Sequence, residues 1–176
     1  MASVASLTPA ARPEAFEPET VDGRLAFRPE IFFEGKLKGW GVVRDLFGRV
    51  RNRYGIEVEG GWQKNGRSFD LIETYAFEDG RREVVRWSLS QDADGHYVGR
   101  EDKSYGQITG RHDGADYRLK FKRETLAEGG RKAKVELEVC FTLLDREVAL
   151  SLAKVRRFGI TIANLTAFYE RPPEPA

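Results

Sequence analysis

Apolar and polar residues alternate with a period of two along most of this chain. The cleanest run places Ala133, Val135, Leu137, Val139 and Phe141 on one face and Lys134, Glu136 and Glu138 on the other. Tyr117, Leu119 and Phe121 stand against Arg118, Lys120 and Lys122 in the same way. A half-buried strand produces this pattern, because successive side chains point to opposite faces of a sheet. The same reading predicts strands near 35–44, 49–60, 67–77, 82–90, 96–101, 105–111, 147–156 and 160–170.

Between the strands stand turn signals: Phe47-Gly48, Asn65-Gly66, Asp79-Gly80, Asp94-Gly95, Asp113-Gly114, Gly129-Gly130 and Leu144-Asp145-Arg146. Asn-Gly and Asp-Gly supply the positive φ angles that two-residue hairpins need. About ten short antiparallel strands joined by tight turns would expose two edges as an open sheet. Closure removes those edges, so the expected fold is all-β, a single antiparallel up-and-down barrel, in preference to a sandwich. The stretch from Phe32 to Gly41 sets Trp40 between Gly39 and Gly41. Glycine inside a strand marks a bend or a close approach, so Trp40 is expected to plug the barrel where it curls shut.

The ends read differently. Residues 1–28, with Pro9, Pro13 and Pro18 and no clean period, are expected to form a flexible, non-regular leader outside a barrel domain at 29–170. Residues 171–176 form a proline-rich tail that cannot continue a sheet.

Charge narrows the function classes. Lys+Arg 29 against Asp+Glu 28 gives a net charge of +1 over 176 residues, which carries no global attraction to nucleic acid or anionic surfaces. The local clusters Arg49, Arg51, Arg53 and Arg118, Lys120, Lys122, Arg123 read as solvated strand faces. The single cysteine, Cys140, excludes an intrachain disulfide and reads as a packing residue. His96 and His112 sit beside turns without metal-ligand spacing, so neither a metal nor a cofactor is expected. No stretch approaches the ~20 apolar residues of a membrane helix, and the start lacks a signal-peptide pattern. The expected placement is soluble and cytoplasmic; the residues do not specify an oligomeric state.

From Phe33 to Tyr169 the chain resembles the bacterial family catalogued as domain of unknown function 3833. The resemblance rests on Phe33-Glu34-Gly35, Gly39-Trp40-Gly41-Val42-Val43, Phe47-Gly48-Arg49-Val50, Leu71-Ile72-Glu73-Thr74-Tyr75, Arg86-Trp87, Tyr97-Val98-Gly99, Gly106, Gly110 and Arg157-Phe158-Gly159. It implies a small lipocalin-like barrel, in a family with no activity established for it as a whole. Many members look like exported lipoproteins, and some neighbour enzymes that modify unsaturated fatty-acyl chains. Because this sequence shows no lipoprotein pattern near its start, an anchor is not carried over. The wider lipocalin-type signature also implies a basic residue over the tryptophan plug, here Arg157 or its neighbours Lys154 and Arg156.

The candidate chemistry lies elsewhere. Period two puts Phe69, Leu71, Glu73, Tyr75 and Phe77 on one face, so a lumenal Glu73 would be an acid among aromatics. Such a carboxylate needs a partner or a raised pKa. The next strand carries Glu83, Val85, Trp87 and Leu89 on one face and Arg86 on the other. Glu73, Tyr75, Arg86, Trp87, Tyr97 and Asn164 are the expected ligand-binding residues. The expected function is non-catalytic binding of a small apolar or amphipathic molecule, a fatty-acyl or isoprenoid-type lipid. The alternative is an enzyme acting on such a lipid, an isomerase, cyclase or oxygenation step using Glu73.

Overall fold

A computed structural model of the chain describes residues 19–64, 66–91, 96–126 and 130–172. Two short strands, β1 (Thr20–Val21) and β2 (Arg24–Leu25), pair with each other and lead into a one-turn helix, α1 (Pro29–Phe32). The barrel follows: β3 (Gly35–Arg44), β4 (Val50–Trp62), β5 (Phe69–Phe77), β6 (Arg82–Gln91), β7 (Tyr97–Glu101), β8 (Ser104–Asp113), β9 (Asp116–Leu126), β10 (Lys132–Leu143), β11 (Val148–Arg157) and β12 (Ile160–Glu170). Each strand pairs antiparallel with the next, and β12 pairs with β3, so the sheet closes in an up-and-down order. Of the expected turns and ends, Asn65, Asp94-Gly95, Gly129, residues 1–18 and residues 173–176 lie outside the described residues.

The two ends of the barrel differ. At one end Phe27, Phe32 and Phe33 close the lumen, each at most 3% exposed. Phe27 stacks on Phe141 at 5.0 Å between ring centroids, and Phe33 meets Tyr169 edge-on at 5.4 Å. Arg171, just past β12, holds this plug in place. Its guanidinium donates to the carbonyls of Phe32 and Glu34 at 2.6 Å each, and pairs with Glu147. Those carbonyls lie at the end of a one-turn helix and just past it, where the helix is too short to satisfy them, so a charged fork is a strong substitute.

The fold departs from three expectations. The end of the expected leader belongs to the barrel: Phe27 is fully buried, because a large ring gains more from the barrel end than from water, whereas residues 19–25 are exposed or half-buried. Trp40 is not the plug. It is 54% exposed on the outer wall, while Gly39 and Gly41 take the inward positions. A Cβ on Gly41 would overlap the Tyr54 ring, and one on Gly39 would overlap the backbone of Phe168. The glycines therefore admit tyrosine rings into the lumen instead of flanking a tryptophan. Arg157 lies at the opposite end from the plug, paired with Ile160 at the β11–β12 hairpin, so it does not reach Trp40.

Replacing Phe27 with alanine should lower stability by about 3–5 kcal/mol, the usual consequence of deleting a buried ring. Urea unfolding of the variant beside the parent chain measures it.

Candidate ligand cavity

Behind the plug the barrel holds a cavity of about 340 Å³. Its walls are unequal. On β6, β9 and β10 the inward side chains are large, including Trp87, Leu119, Phe121 and Leu137. On β11 and β12 small side chains, Ser151, Ala153, Ala163 and Ala167, alternate with Val155, Leu165 and Tyr169. The empty volume sits between the large wall and the small one. Arg81 and Phe77 line its outer limit, with the guanidinium stacked 4.5 Å from the Phe77 ring, and the Arg81 side chain is 49% exposed. The cavity thus opens at the end opposite the phenylalanine plug.

A polar cluster stands on its inner wall. Glu73, 4% exposed, accepts a hydrogen bond from Trp87 Nε1 at 2.8 Å and another from the Tyr169 hydroxyl at 3.2 Å. Tyr75 bonds the same carboxylate and also interacts with Tyr169. Burial pushes the Glu73 carboxyl up, and these three donors and the more distant Arg123 oppose the rise. Burial beside Glu73 pushes the Tyr75 and Tyr169 hydroxyls well above their ordinary value, so both stay neutral donors. A carboxyl, an indole N–H and phenolic hydroxyls converging in an apolar pocket can orient a single polar group of a bound molecule.

Nearer the mouth runs a charged row. Arg123 pairs with Glu83 and lies 3.3 Å from Glu101, while Lys103 reaches Glu83 at 2.7 Å. Burial would raise the Glu83 carboxyl, but Lys103 and Arg123 outweigh it and hold the group below its usual range. Glu101 fares differently. Its side chain is fully buried and neither oxygen accepts a hydrogen bond from the described residues. Burial pushes its carboxyl up to about 7, with Arg123 opposing and Asp102 adding to the rise.

Of the expected binding residues, Glu73, Tyr75 and Trp87 meet in the lumen. Arg86 points outward toward Asp102 at 3.8 Å, because it occupies the alternate phase of β6. Asn164 likewise faces outward, since Ala163, Leu165, Ala167 and Tyr169 take the inward phase of β12. Tyr97 is buried at the plugged end, its hydroxyl near Gln91 at 3.1 Å and Arg28 at 3.4 Å, and it does not line the cavity. Tyr54, Glu83, Arg123 and Tyr169 were missed. Arg123 shares the phase of Tyr117, Leu119 and Phe121, which was a usable signal. Among the described residues, no cluster of His, Cys, Asp and Glu could hold a metal ion, and no helix is long and apolar enough to cross a membrane.

Glu101 should leave a measurable trace in stability. Below about 4.5 both folded and unfolded chains hold its proton; between there and 7 only the unfolded chain releases it. This group therefore favours the fold at low pH and loses that contribution as pH rises, levelling off above 7. Glu101→Gln should be more stable than the parent above pH 7 and equal to it near pH 4, read by melting temperature across the range.

Comparisons place this geometry among known proteins. No curated protein matches the chain. Among solved structures, the barrel is similar to an S-type phycobiliprotein lyase, CPES, from Guillardia theta. That chain is 6% identical with a TM-score of 0.55, and the match covers 81% of this chain and 89% of that one. It is also similar to a de novo designed fluorescence-activating β-barrel, at 12% identity and a TM-score of 0.42, over 82% of this chain and 97% of that one. A redesigned barrel, mFAP0, solved bound to DFHBI, matches at 9% identity and a TM-score of 0.40, over 80% of this chain and 99% of that one. At 6% identity the likeness to the lyase speaks to the fold alone. The sequence itself is more specific: over residues 12–171 it matches the family described as "Protein of unknown function (DUF3833)", and the chain belongs to that family.

Proposed function

We propose that the barrel binds a small apolar or amphipathic molecule, a fatty-acyl or isoprenoid-type lipid, in its lumen without transforming it. The observation that carries this reading is a cavity of about 340 Å³ whose apolar walls converge on the Glu73, Trp87, Tyr75 and Tyr169 cluster. That volume lies at the low end of ligand pockets, equal to roughly eleven waters at about 30 Å³ each. It suits one chain or a small ring system with a neutral hydroxyl or carbonyl at its inner end. Glu83 and Glu101 stand beside Arg123 and offset its charge, which weakens its pull on an anionic group deep in the lumen. Glu73 is engaged by three protein donors, which suits an orienting acid held in place better than a proton-transfer group. The likeness to the lyase barrel supports the fold, and the reading of the lumen rests on its own residues.

Native mass spectrometry of the gently purified chain, followed by melting in the presence of long-chain alcohols and fatty acids, tests the proposal. A ligand at a hundred times its Kd should stabilise the fold by about 2.7 kcal/mol, a rise of about 5–10 °C. Ala153→Phe, which fills the cavity from its small wall, should fold but lose that rise. Trp87→Phe should weaken binding about tenfold or more by leaving Glu73 short of a donor. No co-purifying molecule and no rise with any chain would contradict the reading.

A further inference from the structure

Exposed apolar side chains also occur along the outer wall, among them Trp40 and Phe168, but the four most exposed share one end of the barrel. Phe158 is 90% exposed, Phe47 84%, Ile160 65% and Leu46 57%, and all four lie at the open end of the barrel. They occupy two hairpins, β3–β4 and β11–β12, which neighbour each other because β12 pairs with β3. The cavity reaches this same end: Val43 lines it just before the first tip, and Val155 and Ala163 flank the second.

The two tips reach the same result by different means. Asp45 accepts the backbone N–H groups of Phe47 and Arg49 at 2.9 and 3.0 Å, and Arg44 donates to the Gly48 carbonyl. That bonding fixes Phe47 outward. At the other tip Phe158 has a φ of 52°, a left-handed conformation that a bulky side chain rarely adopts. Asparagine or glycine would fit that turn with less strain, so the fold spends stability to present an aromatic ring to solvent. Each phenylalanine also carries its own cation. The Arg49 guanidinium sits 5.8 Å from the Phe47 ring and that of Arg157 5.1 Å from Phe158. Neither arginine forms an ion pair among the described residues. Arg51 pairs with Asp45, Arg53 with Glu78 and Arg156 with Glu138, which leaves Arg44, Arg49, Lys154 and Arg157 as the cations of these two hairpins without an ion pair among the described residues.

We propose that this rim docks the barrel mouth onto an anionic lipid bilayer, with Phe47 and Phe158 inserting and the arginines meeting lipid phosphates. Two separate projecting tips beside an opening make a poor flat interface for a folded protein. A bilayer interface, by contrast, accepts isolated aromatic wedges flanked by cations. The overall charge of +1 conceals this local excess. The proposal stands on the rim alone, so its failure and that of the lumen reading can be told apart.

Flotation with phosphatidylcholine vesicles, with and without added phosphatidylserine, tests it. The parent chain should float with the phosphatidylserine vesicles, more weakly at high salt and with neutral ones. Phe47→Ser combined with Phe158→Asn should reduce flotation about tenfold or more. Phe158→Asn alone should melt no lower than the parent, since asparagine tolerates the left-handed turn, which excludes misfolding as the cause. Ala153→Phe should float like the parent while losing any lumen ligand. Absence of flotation with anionic vesicles, or a double variant that floats equally well, would overturn the proposal. So would self-association through these two phenylalanines, seen as a dimer that the double variant lacks.

Discussion

Ten strands enclose more space than their inward side chains readily fill, and the rest of this molecule depends on how that space is used. Barrels of about eight strands are just wide enough to be packed by their own residues. Here the excess is divided. One end is stopped by Phe27, Phe32 and Phe33, and the middle is left open because one wall carries Ser151, Ala153, Ala163 and Ala167. Gly39 and Gly41 extend that small wall and let Tyr169 and Tyr54 lean inward over them.

The polar groups follow from the same geometry. Glu73 can stay buried because Trp87, Tyr75 and Tyr169 all reach it from neighbouring parts of the wall. Arg123 offsets Glu83 and part of Glu101 nearer the mouth. Deep in the lumen the environment is apolar with converging hydrogen-bond groups; toward the mouth it is ionic; at the β3–β4 and β11–β12 tips it is apolar and basic. A molecule entering chain-first would meet these zones in reverse order.

Most of the fold was legible in the sequence. The period-two pattern located all ten barrel strands to within a few residues, and the phase was right on β5, β6, β9 and β10, where large apolar residues face inward. It was misleading on β3 and β12. There the inward phase mixes Gly39, Gly41, Ala163 and Ala167 with Leu37, Val43, Leu165 and Tyr169, while Trp40, Ile160, Ile162 and Phe168 face out. A hydrophobic face is normally the buried one, but a wall that sets glycine and alanine inward beside large apolar residues outward weakens the signal. Asn164 and Trp40 were misplaced for that reason. Arg86 and Arg157 were misplaced because register and barrel end, which decide their neighbours, are tertiary properties. Phe27 was lost in a proline-rich segment with no period to mark it.

The three tryptophans allow a direct test of where a ligand sits. Trp40 and Trp62 are partly exposed, whereas Trp87 faces the cavity. In a chain carrying Trp40→Phe and Trp62→Phe, Trp87 is the sole tryptophan, and a bromine-labelled fatty alcohol is a contact quencher of its fluorescence. The account predicts saturable quenching that an unlabelled alcohol reverses by competition. Quenching that is absent, or that rises without saturation as at an open surface, would contradict a ligand-binding lumen.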